Sequence, residues 1–129
     1  MRLLLDTHIW IWHLLDPGRL SPAVRKELAD PGNELWVSPI STWEVCLLHA
    51  KRRVQAQEGV RDWITRATAH MREAPLTHEI ALAAGELDTT LKDPADRLLA
   101  ATAQVLGLTL VTADLSLLGI KNVSTLANR

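Results

Sequence analysis

The clearest structural signal in this sequence is the stretch RLLLDTHIWIWHLL at residues 2–15. Its first part, Arg2 to Leu5, is too apolar for a half-exposed strand and predicts a short strand buried on both faces. Thr7 to Leu15 predicts a helix, which the turn signal Asp16-Pro17-Gly18 ends. A buried strand that passes directly into a helix is typical of a βα unit.

The same alternation continues along the chain. Strands are predicted at Leu35 to Val37 and Leu108 to Thr112, with weaker candidates at Arg72 to Leu76 and Ile120 to Val123. Further helices are predicted to begin at Ser21-Pro22, Ser38-Pro39, Val60, Thr77 and Asp93-Pro94, and to end at Asp30, about Arg53, His70, Leu87 and Leu106. The short connections imply an α/β fold, in which one domain of residues 1–129 forms a small, mostly parallel sheet flanked by helices on both faces.

The composition narrows the class of protein. The chain has 129 residues, of which 47% are apolar and 22% charged, as expected for one compact soluble domain. A formal net charge of −1 predicts that any nucleic acid is held by a local site or a metal rather than by a positive surface. Cys46 is the sole cysteine, which excludes an internal disulfide, and no segment has the length of a membrane span. We therefore expect a cytoplasmic protein.

Four carboxylates occupy positions where carboxylates are costly. Asp6 and Asp114 each end an apolar run, at the carboxyl ends of strands, where α/β sheets collect ligands. Glu44 and Asp96 lie three or four residues from apolar side chains on predicted helices, so both point along apolar stripes. Unpaired buried carboxylates are unfavourable. The four acids together therefore predict a divalent cation, such as magnesium, that neutralises their charge.

Each position also has an ordinary structural explanation. An Asp after a strand is a common turn residue, and an Asp in the first turn of a helix favours the helix dipole. Glu44 is the hardest to explain in this way, because an acid in the middle of a helix gains nothing from capping. Asp93 is a fifth candidate, but its place before Pro94 favours a helix N-cap over participation in a metal site.

Four short motifs contain the acids. In chain order they are Leu4-Leu5-Asp6-Thr7-His8, Ser41-Thr42-Trp43-Glu44-Val45, Asp93-Pro94-Ala95-Asp96-Arg97 with the apolar residues after it, and Leu110-Val111-Thr112-Ala113-Asp114. Together they resemble the PIN domain, in particular the VapC-type toxins of bacterial toxin–antitoxin pairs. The resemblance implies a metal-dependent endoribonuclease whose catalytic and metal-binding quartet is Asp6, Glu44, Asp96 and Asp114. It also implies that Asp6 and Asp96 bind metal directly, and that the hydroxyls of Thr7 and Thr112 support the acids.

An all-carboxylate site suits Mg²⁺, or alternatively Mn²⁺, better than zinc. Hydrolysis of an RNA phosphodiester needs an activated water, charge neutralisation and a stabilised leaving oxygen, which one or two metal ions supply. We expect Asp6 and Asp96 to hold the first metal, and Asp114 to complete that site or support a second. Glu44 is expected to orient the attacking water and to act as general base. The resemblance further implies a homodimer, and a small antitoxin protein that holds the enzyme inactive.

Three other features have more than one explanation. The tryptophans at positions 10, 12, 36, 43 and 63 either stack on RNA bases or, as we expect, fill the core and interfaces, with Trp36 and Trp43 in core-like segments. Lys51-Arg52-Arg53 either favours the C-terminus of the Glu44 helix or contacts substrate phosphates. Arg97, beside Asp96, is a candidate for the same phosphate contact or for pairing with a neighbouring acid.

Three rival functions stay open at this point. A PIN nuclease that matures or degrades RNA without an antitoxin would have the same sequence features. A phosphoacceptor receiver domain is also small, α/β and magnesium-binding, but it needs adjacent acids after its first strand, where Asp6 is followed by Thr7. A binding module that kept the fold and lost activity is disfavoured by the complete quartet.

Overall fold

A parallel sheet forms the centre of the molecule. The computed structural model describes residues 1–51, 59–87 and 90–129. Its strands are β1 (Arg2–Leu5), β2 (Glu34–Val37), β3 (Arg72–Glu73), β4 (Thr109–Thr112) and β5 (Thr125–Ala127). All pairs are parallel, in the order β3-β2-β1-β4-β5, which confirms the predicted sheet. The strand order reverses between β1 and β4, so their carboxyl ends border the crevice where such folds bind ligands.

Helices alternate with the strands along the chain. In the part of the chain that the structure describes they are α1 (Thr7–Leu15), α2 (Pro22–Ala29), α3 (Pro39–Ala50), α4 (Val60–Ala67), α5 (His78–Glu86) and α6 (Pro94–Leu106). The predicted N-caps form, because the side chains of Ser21, Ser38, Thr77 and Asp93 each accept a hydrogen bond from a backbone N–H of the first turn. Gly107 ends α6 with a φ of 65°, which L side chains rarely adopt. None of these helices is long and apolar enough to cross a membrane.

The side chains of β1 divide the core into two parts. Leu3 and Leu5 pack on one face of the sheet with Trp10, whereas Leu4 packs on the other face with Leu99. All three leucines are fully buried. The sheet is therefore covered on both faces around β1, as the uninterrupted apolar run predicts.

The last strand begins further along the chain than the sequence predicts. Ile120 to Val123 is predicted as an edge strand, but the Val123 N–H bonds to the Ile120 carbonyl in a turn, with Asn122 at a φ of 65°. The prediction is wrong because Ile120 and Val123 are apolar for another reason, since both pack against the core around Leu99. The strand forms instead at Thr125–Ala127.

Two helix ends also differ from the prediction. α4 ends at Ala67 rather than at His70, because the chain turns there and the Met71 N–H bonds to the Thr68 carbonyl. α3 is observed to Ala50. Its predicted continuation to Arg53, and the two arginines after Lys51, lie outside the described residues.

The tryptophans are not all core residues. Trp10 is fully buried, and its ring centroid lies 6.3 Å from that of Trp63. Trp43 is 57% exposed on the outer face of α3, so its predicted place in the core is wrong. Trp36 is partly buried, with the guanidinium groups of Arg2 and Arg72 at 5.2 and 5.9 Å from its ring centroid.

Arg97 joins α6 to the end of α5. Its Nε, Nη1 and Nη2 groups donate to the backbone carbonyls of Ala84, Leu91 and Leu87, at 3.0, 2.7 and 3.2 Å. The guanidinium is thus engaged by backbone oxygens, and no acid within the described ranges forms the predicted ion pair with it. In the described part of the chain it satisfies the Ala84 and Leu87 carbonyls, which the end of α5 leaves free, and the Leu91 carbonyl before α6.

We expect Arg97→Met to lower the free energy of unfolding by about 2–3 kcal/mol, because three partly buried carbonyls lose a charged donor. Arg61→Met, which alters an exposed arginine of α4, should change it by less than about 0.5 kcal/mol. Urea unfolding of both variants measures the difference. Equal stability of the two variants would contradict the role assigned to Arg97.

Candidate active site

The candidate site lies at the carboxyl edge of β1 and β4. Asp6 follows β1 directly, and its N–H donates to the Val111 carbonyl on β4 at 3.0 Å. Asp114 follows β4, and its N–H donates to the Thr112 hydroxyl at 3.0 Å. The pairing of two strands that are distant in sequence therefore brings these two acids to one edge of the sheet.

Asp6 is a buried acid with both oxygens engaged. It is 8% exposed, and its Oδ1 accepts a hydrogen bond from the Thr7 N–H while its Oδ2 accepts one from the Thr112 hydroxyl, each at 2.7 Å. Burial raises the pKa of Asp6 above its ordinary value of 3.8, although the bonds from Thr112 and Thr7 act in the opposite direction. The carboxyl group is therefore held in one orientation.

Asp96 lies in the first turn of α6, and its pKa depends on the other acids of the site. It is partly buried, and its pKa is raised from 3.8 to about 7. Burial is the largest cause, and repulsion by four other acids adds to it. In decreasing order of effect they are Asp93, Asp6, Asp114 and Glu44. The fold thus gathers the predicted quartet, with Asp93, into one electrostatic neighbourhood.

The Glu44 side chain is held by a hydrogen bond from α1. Its Oε1 lies 2.6 Å from the hydroxyl oxygen of Thr7, which in turn lies 2.9 Å from the hydroxyl oxygen of Ser41. Glu44 is partly buried, but Leu47 on the same predicted stripe is 39% exposed. The position of the Glu44 side chain therefore follows from a hydrogen bond to a neighbouring helix more than from an apolar stripe.

The two remaining acids are exposed and have local partners. The Asp93 side chain accepts a hydrogen bond from the Asp96 N–H at 3.1 Å, which is the predicted N-cap. Asp114 Oδ1 accepts hydrogen bonds from the Ser116 N–H and hydroxyl, at 2.9 and 2.7 Å. Both acids therefore have a local structural role in addition to their effect on Asp96.

Comparison with known proteins assigns the family. The family model described as PIN domain matches residues 3–122. This chain belongs to the PIN domain family. A relative of this PIN domain, Ribonuclease VapC22 of Mycobacterium tuberculosis, is 37% identical over 112 residues, which cover 86% of this chain and 85% of the relative. The resemblance read from the motifs is confirmed, and the rival assignment to a receiver domain is wrong.

Solved structures show the same fold. VapBC2 from Rickettsia felis, bound to a DNA fragment from its promoter, includes a chain with a TM-score of 0.75 and 20% identity, with 98% of both chains covered. VapBC-1 from nontypeable Haemophilus influenzae includes one with a TM-score of 0.72 and 21% identity, again with 98% of both chains covered. At these identities the likeness concerns the fold alone.

The acids of this PIN domain fit a divalent cation in donor type and in charge. All are oxygen donors, and their mutual repulsion around Asp96 is what a bound cation would relieve. However, no group of three or more His, Cys, Asp or Glu side chains within the described ranges is arranged so that it could hold a metal ion. Oxygens of Asp6, Glu44 and Asp114 are instead engaged by hydroxyl and amide groups. An ionised carboxylate has about four lone-pair sites, so these contacts can persist when the acids close around an ion.

The hydroxyl groups around the acids were only partly predicted. The hydrogen bonds of Thr7 and Thr112 agree with the supporting role that the resemblance implies. Ser41 was not assigned a role, although a polar residue three positions before Glu44 lies on the same helix face and is a recognisable signal. Only its full burial, which the sequence does not reveal, indicates that its hydroxyl needs a partner inside the fold.

Proposed function

We propose that this PIN domain is a magnesium-dependent endoribonuclease and the toxin of a toxin–antitoxin pair. The observation that carries the proposal is the convergence of acids at one sheet edge, where Asp6 and Asp114 follow the paired strands β1 and β4. The raised pKa of Asp96, to which burial and four other acids contribute, supports it. The relative named Ribonuclease VapC22 supports the reaction class. Structural neighbours that are VapBC complexes support an antitoxin partner.

Each acid has a distinct part in the proposed chemistry. Asp6 and Asp96 would hold the cation, and Asp114 would complete that site or support a second cation. When bound, Mg²⁺, or Mn²⁺ in its place, supplies charge neutralisation on the scissile phosphate and lowers the pKa of water. Glu44 orients the attacking water and accepts its proton, a role that needs the carboxylate in one fixed place. Thr112 and Thr7 hold Asp6 and Glu44 in orientation.

Cleavage of labelled single-stranded RNA by the purified chain tests the proposal directly. We expect cleavage with Mg²⁺ or Mn²⁺, none with EDTA, and inhibition by the protein encoded beside this gene. Cleavage that persists in EDTA would contradict metal dependence, and a neighbouring protein that leaves cleavage unchanged would contradict the antitoxin. The homodimer is a prediction from resemblance, and light scattering of the purified chain measures it.

Magnesium should stabilise the folded protein, because it binds acids that are gathered only in the native state. At ten times its dissociation constant, a ligand of the native state adds about 1.4 kcal/mol to the free energy of unfolding. We expect the melting temperature to rise by about 5 °C. The control is sodium chloride at matched ionic strength, which should give a smaller rise. Identical melting curves with magnesium and sodium would contradict cation binding at the acids.

A further inference from the structure

Ser41 is a buried hydroxyl beside the acidic site with no part in the proposed chemistry. It lies on α3, three residues before Glu44, and is fully buried. Thr7, on α1, is 1% exposed. The three side-chain oxygens form a chain from Ser41 to Thr7 at 2.9 Å and from Thr7 to Glu44 at 2.6 Å.

The number of protons fixes the direction of this chain. A hydroxyl has one proton to donate, and an ionised carboxylate can only accept. The proton of Thr7 therefore goes to Glu44. The 2.9 Å contact then needs the proton of Ser41, which donates to the Thr7 oxygen. Without that donor, the Thr7 oxygen would lose a partner and its hydroxyl would be free to turn.

Ser41 differs in this respect from three other hydroxyls in helices or at their ends. Those of Thr65, Thr68 and Thr102 donate to the backbone carbonyl four residues earlier, at 2.9, 2.8 and 2.6 Å. Within the described ranges, Ser41 instead directs its hydroxyl across to α1. Its hydrogen bond is therefore a contact between two helices that ends on the acid.

We propose that Ser41 is a positioning residue, which holds the Glu44 carboxylate in place through the hydroxyl of Thr7. This inference rests on the proposed nuclease function, in which Glu44 orients the attacking water. Glu44 is partly buried, and its long side chain has several rotatable bonds. A hydrogen bond whose donor is itself fixed restricts those bonds to arrangements that keep Oε1 beside the Thr7 hydroxyl.

Ser41→Ala tests the proposal by its effect on turnover. We expect kcat for RNA cleavage to fall about tenfold, because a misplaced general base slows the chemical step, with KM within about twofold of wild type. Ser41→Thr, which keeps the hydroxyl, should restore most of the loss. In the Thr7→Val background, Ser41→Ala should have no further effect, because the chain is already broken. A fall of equal size in that background would overturn the proposal.

Ser38→Ala is the matched control. Ser38 is also a fully buried serine, but its hydroxyl accepts from the Ile40 N–H as the N-cap of α3. This variant should lower stability without lowering kcat. If it reduces kcat as much as Ser41→Ala does, the effect is structural and the proposal fails.

A second measurement separates this proposal from the nuclease function. In metal-free protein with ¹³C-labelled glutamate carboxyl groups, the Glu44 signal, identified with Glu44→Gln, should move in Ser41→Ala and stay in Ser38→Ala. An unmoved signal in Ser41→Ala overturns the positioning role even if RNA is cleaved. Absence of cleavage by wild type overturns the nuclease function, and the signal still reports on positioning.

Discussion

Asp6→Asn is expected to reduce RNA cleavage by more than about 100-fold and to remove growth inhibition on expression. Loss of a partner that only orients a metal ligand typically costs 10–100-fold in affinity or activity, so loss of a direct ligand should cost more. The substitution removes the charge from the proposed cation site and keeps the side-chain shape. Cleavage rates of labelled RNA with Mg²⁺, and growth curves after induction, measure the effect.

The fold should survive this change. The side-chain amide that the substitution introduces can donate to the Thr112 hydroxyl, which in wild type donates to Asp6. Its carbonyl can still accept from the Thr7 N–H. Asp62→Asn, which removes an exposed acid from the first turn of α4, is the control and should keep full activity. Wild-type cleavage and toxicity in folded Asp6→Asn would remove Asp6 from the catalytic site.

Asp96→Asn is expected to abolish cleavage and, in metal-free protein near pH 8, to raise the free energy of unfolding by about 1–2 kcal/mol. The folded state of wild type holds an acid whose pKa is raised to about 7, mainly by burial and then by neighbouring acids. A rise from 3.8 to about 7 corresponds to about 4 kcal/mol of unfavourable free energy in the ionised folded state. We expect half of this or less, because the side chain is partly exposed and screened by solvent.

The sign follows from proton binding. Between about pH 4 and pH 7, folded Asp96 keeps a proton that the unfolded chain has released, so stability falls as pH rises through this range. Asp6, whose pKa is also raised, contributes in the same direction. Burial, with a smaller contribution from His70, lowers the pKa of His13, which opposes the trend below about pH 6.5. The contribution of Asp96 is therefore measured by the difference in the free energy of unfolding between wild type and Asp96→Asn.

Urea unfolding at pH 5 and pH 8, in the presence of a chelator, measures that difference. Between pH 5 and pH 8, the free energy of unfolding should fall by about 1–2 kcal/mol more in wild type than in Asp96→Asn. Asp62→Asn should follow wild type. If Asp96→Asn is instead less stable than wild type at pH 8, the carboxylate is compensated within the native protein and the predicted need for a cation is removed.

Local sequence patterns were sufficient for the parts of the fold that depend on local chemistry. The apolar run of β1, the helix starts at Ser21-Pro22 and Ser38-Pro39 and the end of α6 at Leu106 are each determined by neighbouring residues, and each appears as predicted. The strand predicted at Ile120 to Val123 is wrong because apolar residues also occur in turns that pack against the core, as these two do. Periodicity does not distinguish these two uses.

The details of the site depend on contacts between distant parts of the chain. Thr112 and Asp6 are 106 residues apart in sequence, and Thr7 and Glu44 are 37 apart. No local pattern encodes these hydrogen bonds, so topology and resemblance predict the group of acids but not the role of Ser41. The contacts of Arg97 are also not predicted by a local pattern, since the carbonyls that it binds lie 6 to 13 residues earlier.

The strand order also determines when the site can first exist during synthesis. β1 leaves the ribosome before β4, but its central place in the sheet requires β4 as a neighbour. A nascent chain that stops before Thr109 contains Asp6 and Glu44 and lacks the strand that supplies Thr112 and leads to Asp114. Assembly of the acids therefore waits until β4 and Asp114 have been translated, so copies that stop before Thr109 carry no formed site.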